Sequence, residues 1–254
     1  MLLSKEGIEN NLSESAKKYN INVFDCISST NTVLRELAEQ GAEENTVLIA
    51  SEQTNGRGRM GRNFHSPQGT GLYISILLHP DLSAEKTVLI TTSAAVAVCK
   101  AIEKTTDKEP QIKWVNDIFI DGKKVCGILT EAVFEEGKIK YAVLGIGINV
   151  FAPNGGFPEE IKKIAGAVCS DFKDGLRELI AAELLNELSD INIEETSAEY
   201  KKRSLVIGNK ITVLSSDGPY EAVAEDIDDS CGLIIKKEDG TRKILSSGEI
   251  SIRL

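Results

Sequence analysis

The feature that most constrains this chain is a glycine- and arginine-rich segment, residues 56–62, that lies between two apolar runs. Its seven residues include three glycines and three arginines. Glycines let backbone N–H groups approach a ligand closely, and guanidinium groups donate forked hydrogen bonds to carboxylates and phosphates. The flanking runs, 46–51 and 71–78, have the pattern of buried strands. The segment is therefore predicted to be a loop that leaves a buried sheet and closes over an anion.

The overall charge of the chain restricts what that anion can be. The 254 residues contain 29 Lys and Arg against 39 Asp and Glu, a formal net charge of −10. Non-specific duplex binding needs a basic face, so an acidic chain is a poor candidate for it. The arginines at 57, 59 and 62 therefore predict a local anion site, with a solvated basic turn as the alternative.

Cysteine and histidine usage argues against a disulfide framework and against a metal site. The five cysteines are scattered without a C-x-x-C pair, which is typical of reduced thiols in the cytoplasm. The two histidines, His65 and His79, share no metal-ligand spacing and are interpreted as structural residues. The chain has neither a signal peptide nor about 18 consecutive apolar residues, so we expect a cytoplasmic protein without membrane contact.

Hydrophobic periodicity predicts alternating strands and helices up to residue 204. A helix begins near Asn31 or Thr32 and ends at Gly41. Hairpin turns are expected at Asp121-Gly122 and at Glu136-Gly137. The predicted strands are 22–24, 46–51, 71–78, 111–114, 117–120, 125–135 and 139–150, and the other predicted helices are 83–102, 175–188 and 194–203.

After Ser204 the pattern changes to short, closely spaced strands. Turns are predicted at Asp217-Gly218 and Asp239-Gly240. About 50 residues of this kind indicate a small barrel. We therefore expect two domains, 1–204 and 205–254. The predicted strands of the second are 210–214, 220–227, 232–236 and 241–245.

Three further polar segments are candidates for a site. Residues 113–117, Lys-Trp-Val-Asn-Asp, place charged and amide groups where two strands meet, although a surface strand with an Asn-Asp turn explains them equally well. Lys124 follows a turn and enters a strand, whereas Cys126 has the surroundings of a small buried hydrophobe. Alternating glycines in residues 145–149, Gly-Ile-Gly-Ile-Asn, indicate close approach of a ligand or another backbone, with a turn as the alternative for Asn149.

The glycine spacing at 56, 58 and 61 satisfies G-x-G-x-x-G, but its context does not fit a dinucleotide-binding fingerprint. That motif opens a helix, whereas residues 63–69 contain Pro67 and cannot start one cleanly. A Walker A sequence is absent as well.

Taken together, these segments resemble the biotin–protein ligases. The matching elements follow the family order: Ser29-Thr30-Asn31, the Gly-Arg-Gly-Arg-x-Gly-Arg loop after Gln53, Ser66-Pro67 with Gly69, Lys113-Trp114-x-Asn116-Asp117, Lys124-x-x-Gly127-Ile128-Leu129-x-Glu131 and residues 145–149. The resemblance covers about residues 22–254. It implies an α+β fold, in which helices flank a mixed β-sheet as in class II synthetases, followed by a small SH3-like β-barrel.

The resemblance implies a two-step ligation. Biotin and ATP form biotinyl-5'-AMP with Mg²⁺, and the biotin is then transferred to a lysine of a biotin carboxyl carrier domain. Catalysis is expected from Arg57, Lys113, Asp117 and Lys124. Biotin binding is expected from Ser29, Thr30, Asn31, Gln53, Arg57, Gly58, Arg59, Lys124 and Gly127. Binding of ATP and the adenylate is expected from Arg59, Arg62, Phe64, Lys113, Asn116 and Asn149, without a protein metal cluster.

The chain departs from the family pattern at two positions. Val115 stands where Pro is common, and Phe64 replaces a usual Trp, which makes the aromatic wall of the nucleotide pocket smaller. The segment before Asn22 is too short for the winged helix-turn-helix of the biotin-operon repressors, so we expect the monofunctional type without DNA binding. Pairing of relatives through the edge of the central sheet implies a possible homodimer.

Two other functions compete with this interpretation. Lipoate- or octanoate-transferring enzymes share the fold but lack the arginine loop in this form. A biotin sensor without catalysis would not need arginines directed at phosphates.

Overall fold

The protein, represented by a computed structural model, is described over residues 3–215 and 218–252. A mixed seven-stranded sheet lies within the first of these ranges. Its strands are β1 (Asn20–Phe24), β2 (Thr46–Ala50), β3 (Gly71–Leu78), β4 (Gln111–Lys113), β5 (Asp117–Ile120), β6 (Lys123–Glu135) and β7 (Lys138–Asn149). The sheet order is β1-β2-β3-β7-β6-β5-β4.

Two tight turns set the register of the long hairpins in this sheet. Strand β1 pairs parallel with β2, and the other neighbouring strands are antiparallel. Asp121 and Gly122 join β5 to β6, and Glu136 and Gly137 join β6 to β7, all with positive φ. Two consecutive residues with positive φ match the twist of the flanking strands, which confirms the predicted hairpins.

Helices cover both faces of the sheet. Along β2, Leu48 packs on one face with Leu34 of the first long helix, whereas Val47 and Ile49 join the core on the opposite face. This alternation is the period of two expected for a strand buried on both sides. The helices are α1 (Lys5–Glu9), α2 (Thr30–Glu39), α3 (Thr87–Thr105), α4 (Leu176–Asp190) and α5 (Ser197–Lys202). Helix α2 therefore lies on one face, and α3 with α4 on the other.

The C-terminal domain is a second sheet, antiparallel and five-stranded within the described residues. Its strands are β8 (Lys210–Ser215), β9 (Gly218–Ile227), β10 (Leu233–Lys237), β11 (Arg242–Leu245) and β12 (Glu249–Ile252), in the order β11-β10-β9-β8-β12. This strand-rich domain confirms the expected α+β fold.

A buried hydrogen bond attaches the C-terminal domain to the first part of the chain. Trp114 Nε1 donates to the Cys231 carbonyl at 2.9 Å, and the Trp114 side chain is almost fully buried. The neighbouring Val115 carbonyl accepts from Tyr200 Oη of α5 at 2.9 Å, which holds this segment within the first part. A buried polar group is costly unless it is paired, so the Trp114 bond helps to fix how the second sheet sits beside the site.

The sequence-based prediction differs from the structure mainly at short elements. Helix α1 and strand β12 were not predicted, because each has only one buried side chain, Ile8 in α1 and Ile250 in β12. A single buried residue shows no hydrophobic periodicity. Ser83 was expected to cap helix α3 directly; it stands at the N-cap of a short 3-10 turn, Ala84–Lys86, which leads into α3 at Thr87. The predicted turn at Asp217 lies outside the described residues. Within those residues, no helix is long and apolar enough to cross a membrane.

Candidate active site

A cavity of about 240 Å³ lies between the large sheet and residues 56–62, which we call the flap. Segments from distant parts of the chain line this cavity, and every site residue predicted from the sequence is among them. These residues are Ser29, Thr30, Asn31, Gln53, Arg57, Gly58, Arg59, Arg62, Phe64, Lys113, Asn116, Asp117, Lys124, Gly127 and Asn149.

One end of the cavity, at the start of α2, consists of uncharged hydrogen-bonding groups. Ser29 caps α2, and the N–H of Thr30 donates to Gln53 Oε1 at 2.8 Å, with the Thr30 hydroxyl 3.1 Å from the same oxygen. Gln53 Nε2 donates to Ser66 Oγ at 3.0 Å, which in turn donates to the Phe64 carbonyl at 2.9 Å. We call Ser29, Thr30, Gln53 and Ser66 the neutral end. Its side chains are held in place by one another.

Asn31 supports the neutral end from below. Its Nδ2 donates to Glu131 Oε2 at 3.0 Å and to the Leu129 carbonyl at 3.4 Å, while Oδ1 accepts from Ser75 Oγ at 2.6 Å. Strand β7 passes directly behind it, where a Cβ on Gly145 would collide with the Asn31 amide. The glycine is required for this close approach, although the neighbour is a side chain and not the ligand or backbone expected from the alternating glycines.

The flap is attached to both domains by its arginines. Arg59 donates to Asn116 Oδ1 and to the Gly248 carbonyl, each at 2.8 Å. Arg62 forms a two-pronged ion pair with Glu249, with distances of 2.7 and 2.8 Å. This hydrogen-bonded pair raises the pKa of Arg62 above its ordinary value. The flap therefore bridges the cavity and the C-terminal strand β12.

The third arginine of the flap and two lysines of the sheet are the remaining cations that line the cavity. Arg57 Nη2 is 2.9 Å from Glu131 Oε1, and Lys124 Nζ is 2.7 Å from Asp117 Oδ1. Burial lowers the pKa of Lys113; Asp117 opposes that shift and Lys124 adds to it. We call the cations that line this part of the cavity the charged end; they are Arg57, Arg59, Arg62, Lys113 and Lys124.

Aromatic and amide groups complete the wall between strands β3 and β7. A Cβ on Gly147 would lie 2.6 Å from the Phe64 ring, so this second glycine makes room for the aromatic side chain. Phe64 meets Tyr73 edge to face, with ring centroids 6.3 Å apart. Asn149 Nδ2 donates to the Gly166 carbonyl at 3.0 Å, so its amide is fixed at the end of β7.

The sequence alone did not identify several contributors to this site. Gly248 and Glu249 reach the flap from the far end of the chain, and Ser75 lies within an apolar strand. Glu131 was recognised only as part of a motif. The interpretation of Cys126 is supported, because it is fully buried and burial raises the pKa of its thiol.

Comparison with known proteins gives matches to both parts of the chain. The biotin/lipoate A/B protein ligase family matches residues 23–149, and the biotin protein ligase C-terminal domain matches residues 206–253. The bifunctional ligase/repressor BirA of Bacillus spizizenii is 37% identical over 231 residues, which cover 88% of this chain and 71% of that protein. The biotin–[acetyl-CoA-carboxylase] ligase of Mycobacterium tuberculosis is 30% identical, covering 87% of this chain and 85% of that protein.

Among solved structures, the biotin protein ligase from Aquifex aeolicus in complex with biotin and ATP is similar, with a TM-score of 0.71 and 30% identity. The match covers 92% of this chain and 98% of that one. The chain therefore belongs to the biotin/lipoate A/B protein ligase family and carries the C-terminal domain of the biotin protein ligases.

Proposed function

We infer that this chain is an ATP-dependent biotin–protein ligase that forms biotinyl-5'-AMP and then biotinylates a lysine of a carboxyl carrier domain. One observation carries the inference: a single cavity joins a neutral, hydrogen-bonding end to a charged end. The similar Aquifex aeolicus ligase, solved with biotin and ATP, supports this choice of substrates.

Biotin fits the cavity with its ureido ring at the neutral end. A ureido group presents two N–H donors and one carbonyl acceptor, so it needs paired polar partners in a fixed geometry. Ser29, Thr30 and Gln53 offer such partners, and Asn31 contacts Thr30 through Ser75. The carboxylate of biotin then points toward Arg57, Arg59 and Lys124. The backbones of Gly58 and Gly127 border this path.

In the first step a carboxylate oxygen of biotin attacks the α-phosphorus of ATP, and the bond from that phosphorus to the pyrophosphate oxygen breaks. Two anions must meet for this reaction, so catalysis depends on placing positive charge where negative charge develops. Arg57, Lys113 and Lys124 are proposed to supply it. The pairing of Lys124 with Asp117 fixes the position of its ammonium group.

The nucleotide is proposed to lie under the flap, beside Phe64 and the start of β5. Arg59 and Arg62 face its phosphates, Phe64 borders the adenylate, and Asn116 and Asn149 supply amide groups. The described residues contain no group of three or more His, Cys, Asp or Glu side chains suited to a metal. We therefore propose that Mg²⁺ enters on the ATP phosphates, where it supplies charge neutralisation.

In the second step the amine of the acceptor lysine attacks the acyl carbon, and the carbon–oxygen bond to AMP breaks. The amine must first lose a proton from a pKa of about 10.4. Asp117 is proposed to orient this amine, while the flap keeps water away from the mixed anhydride until the acceptor arrives.

A substrate comparison tests this function. The protein is incubated with ATP, Mg²⁺ and either biotin or lipoate, and pyrophosphate release and labelling of a carrier domain are measured. We expect pyrophosphate release and acceptor labelling with biotin alone. Lipoate-dependent labelling would assign the chain to the lipoate- or octanoate-transferring enzymes. Biotin-dependent pyrophosphate release without labelling would indicate a sensor.

Two further properties are part of the proposal. The five cysteines are free thiols, which supports a cytoplasmic location. Strand β1 forms one edge of the large sheet, and we propose that two chains pair through a sheet edge. Light scattering with and without biotin and ATP measures that association.

A further inference from the structure

The carboxylate of Glu131 lies between the flap and the neutral end. Its Oε1 pairs with Arg57 Nη2 at 2.9 Å, and its Oε2 accepts from Asn31 Nδ2 at 3.0 Å. The side chain is only 20% exposed. The reaction described above gives this residue no part, although one carboxylate contacts two separate elements of the site.

Glu131 determines which way the Asn31 amide faces. Asn31 Nδ2 meets the Glu131 carboxylate and the Leu129 carbonyl, and both can only accept hydrogen bonds. The amide nitrogen must therefore stay on this side, and Oδ1 must face Ser75. Asn31 is itself buried, so a reversed amide would leave its polar atoms without partners.

Ser75 carries this orientation to the neutral end. Its Oγ lies 2.6 Å from Asn31 Oδ1 and 2.7 Å from Thr30 Oγ1, and the residue is fully buried. The serine hydroxyl has one hydrogen to donate, so an acceptor at Asn31 fixes its direction. The Ser75 oxygen then accepts from the Thr30 hydroxyl, and the Thr30 N–H donates to Gln53 Oε1 at 2.8 Å. A hydrogen-bonded chain thus runs from Glu131 to Thr30 and Gln53, two of the three residues proposed for the ureido ring.

We propose that Glu131 is a positioning residue with two separable tasks. One carboxylate oxygen holds the flap through Arg57, and the other sets the hydrogen bonds of the biotin subsite through Asn31 and Ser75. The proposal rests on the proposed function, since it assigns the neutral end to biotin. Through these two contacts, a single carboxylate couples biotin binding to protection of the adenylate from water.

Three variants separate the two tasks. Glu131→Gln keeps an oxygen for Asn31 but loses the ion pair with Arg57. Ser75→Ala breaks the chain to Thr30 but leaves that ion pair intact. Glu131→Ala removes both contacts. The matched control is Glu135→Gln, an exposed carboxylate on the same strand that pairs with Lys140.

Two measurements are made on each variant: the Kd of biotin by titration calorimetry, and the rate of AMP formation without an acceptor, which reports hydrolysis of the adenylate. We expect Ser75→Ala to raise the biotin Kd about tenfold, because it leaves buried polar groups unpaired. The rate of AMP formation without an acceptor should stay at the wild-type value. Glu131→Gln should keep the biotin Kd within about threefold of the wild-type value. It should increase the rate of AMP formation without an acceptor, since only the flap contact is lost. Glu131→Ala should change both quantities, and Glu135→Gln neither.

If Glu131 has a purely structural role, the biotin Kd and the rate of AMP formation should change together, in step with the loss of thermal stability. That result would overturn the proposal. So would an unchanged biotin Kd in Ser75→Ala. If Glu131→Ala does not fold, the contrast between Glu131→Gln and Ser75→Ala still tests whether the two tasks are separable. Wild-type protein that releases no pyrophosphate with biotin would instead refute the proposed function.

Discussion

The two ends of the cavity are built from different chain segments and are stabilised in different ways. At the neutral end, Thr30 and Gln53 are buried or half-buried, and their partners are other uncharged groups. At the charged end, Arg62 is largely exposed and its partner is a carboxylate, Glu249. The first end keeps its geometry through internal hydrogen bonds, whereas the second is held by ion pairs that a ligand anion can replace.

This difference has a physical consequence for binding. Fixed, uncharged groups discriminate by shape and hydrogen-bond pattern, since an imperfect ligand leaves buried groups unpaired. Cations already paired with carboxylates can exchange those partners for phosphate at small cost, because exposed ion pairs are weak. We therefore assign specificity to the neutral end and transition-state stabilisation to the charged end. The following predictions test that division.

The largest effect is expected from Lys124→Ala. Removing a cation placed at the reacting phosphate should reduce biotin-dependent pyrophosphate release about 100- to 1000-fold. The biotin Kd should change much less, because the ureido contacts remain. The control is Lys123→Ala, which removes the neighbouring exposed lysine that donates to the Lys163 carbonyl. Loss of activity in both variants would mean that the strand, not the Lys124 charge, is needed.

Asp117→Asn tests whether Asp117 acts mainly in the transfer step or equally in adenylation. The amide keeps the size of the side chain but loses its charge, so a positioned acceptor amine should react about 100-fold more slowly. Transfer from preformed biotinyl-5'-AMP and pyrophosphate release are measured separately. We expect transfer to fall more than adenylation. Equal loss in both steps would show that Asp117 acts through its ion pair with Lys124 instead.

Two glycines on strand β7 provide a matched pair. In Gly145→Ala the added Cβ collides with Asn31, and in Gly147→Ala it collides with Phe64. Overpacking costs about 1–3 kcal/mol, which corresponds to about a 5- to 140-fold change in affinity when the whole cost falls on binding. We expect Gly145→Ala to raise the KM of biotin and Gly147→Ala to raise the KM of ATP. The same change in both variants would contradict the division of the cavity into two ends.

The smallest effect is expected from Glu249→Gln. Removing the carboxylate frees Arg62 for the phosphates, and an exposed pair of this kind contributes about 0.2–1 kcal/mol. The KM of ATP should therefore fall by up to about fivefold, while the KM of biotin stays constant. Glu225→Gln, which removes a surface carboxylate paired with Arg242 in the same domain, serves as the control. A higher KM of ATP would mean that Glu249 holds the flap in its binding conformation.

The sequence predicted the parts of the fold that rest on local rules. Strands β3 and β5 have their predicted bounds, since an apolar run between turn residues is readable on its own. The hairpin turns follow from Asp-Gly and Glu-Gly pairs. Helix α1 and strand β12 were missed because they depend on long-range packing rather than on periodicity.

The site residues fall into the same two groups: those that a local sequence pattern reveals and those that depend on tertiary packing. Arg57 and Lys124 were candidates from their local sequence, and the resemblance supplied their expected roles. Ser75 was not, because a serine within an apolar strand has no local signal until Asn31 is seen against it. Glu249 was not identified either, since its contact with Arg62 joins residues that are 187 positions apart in the chain. Such contacts arise from tertiary packing, which no local pattern encodes.

A crystal structure with biotinyl-5'-AMP tests the central claim most directly. The account predicts the ureido ring against Ser29, Thr30 and Gln53, the phosphate between Arg57, Arg59 and Lys124, and the flap closed over it. An adenylate with its ureido ring at the charged end, or a flap turned away from the acyl phosphate, would contradict the account.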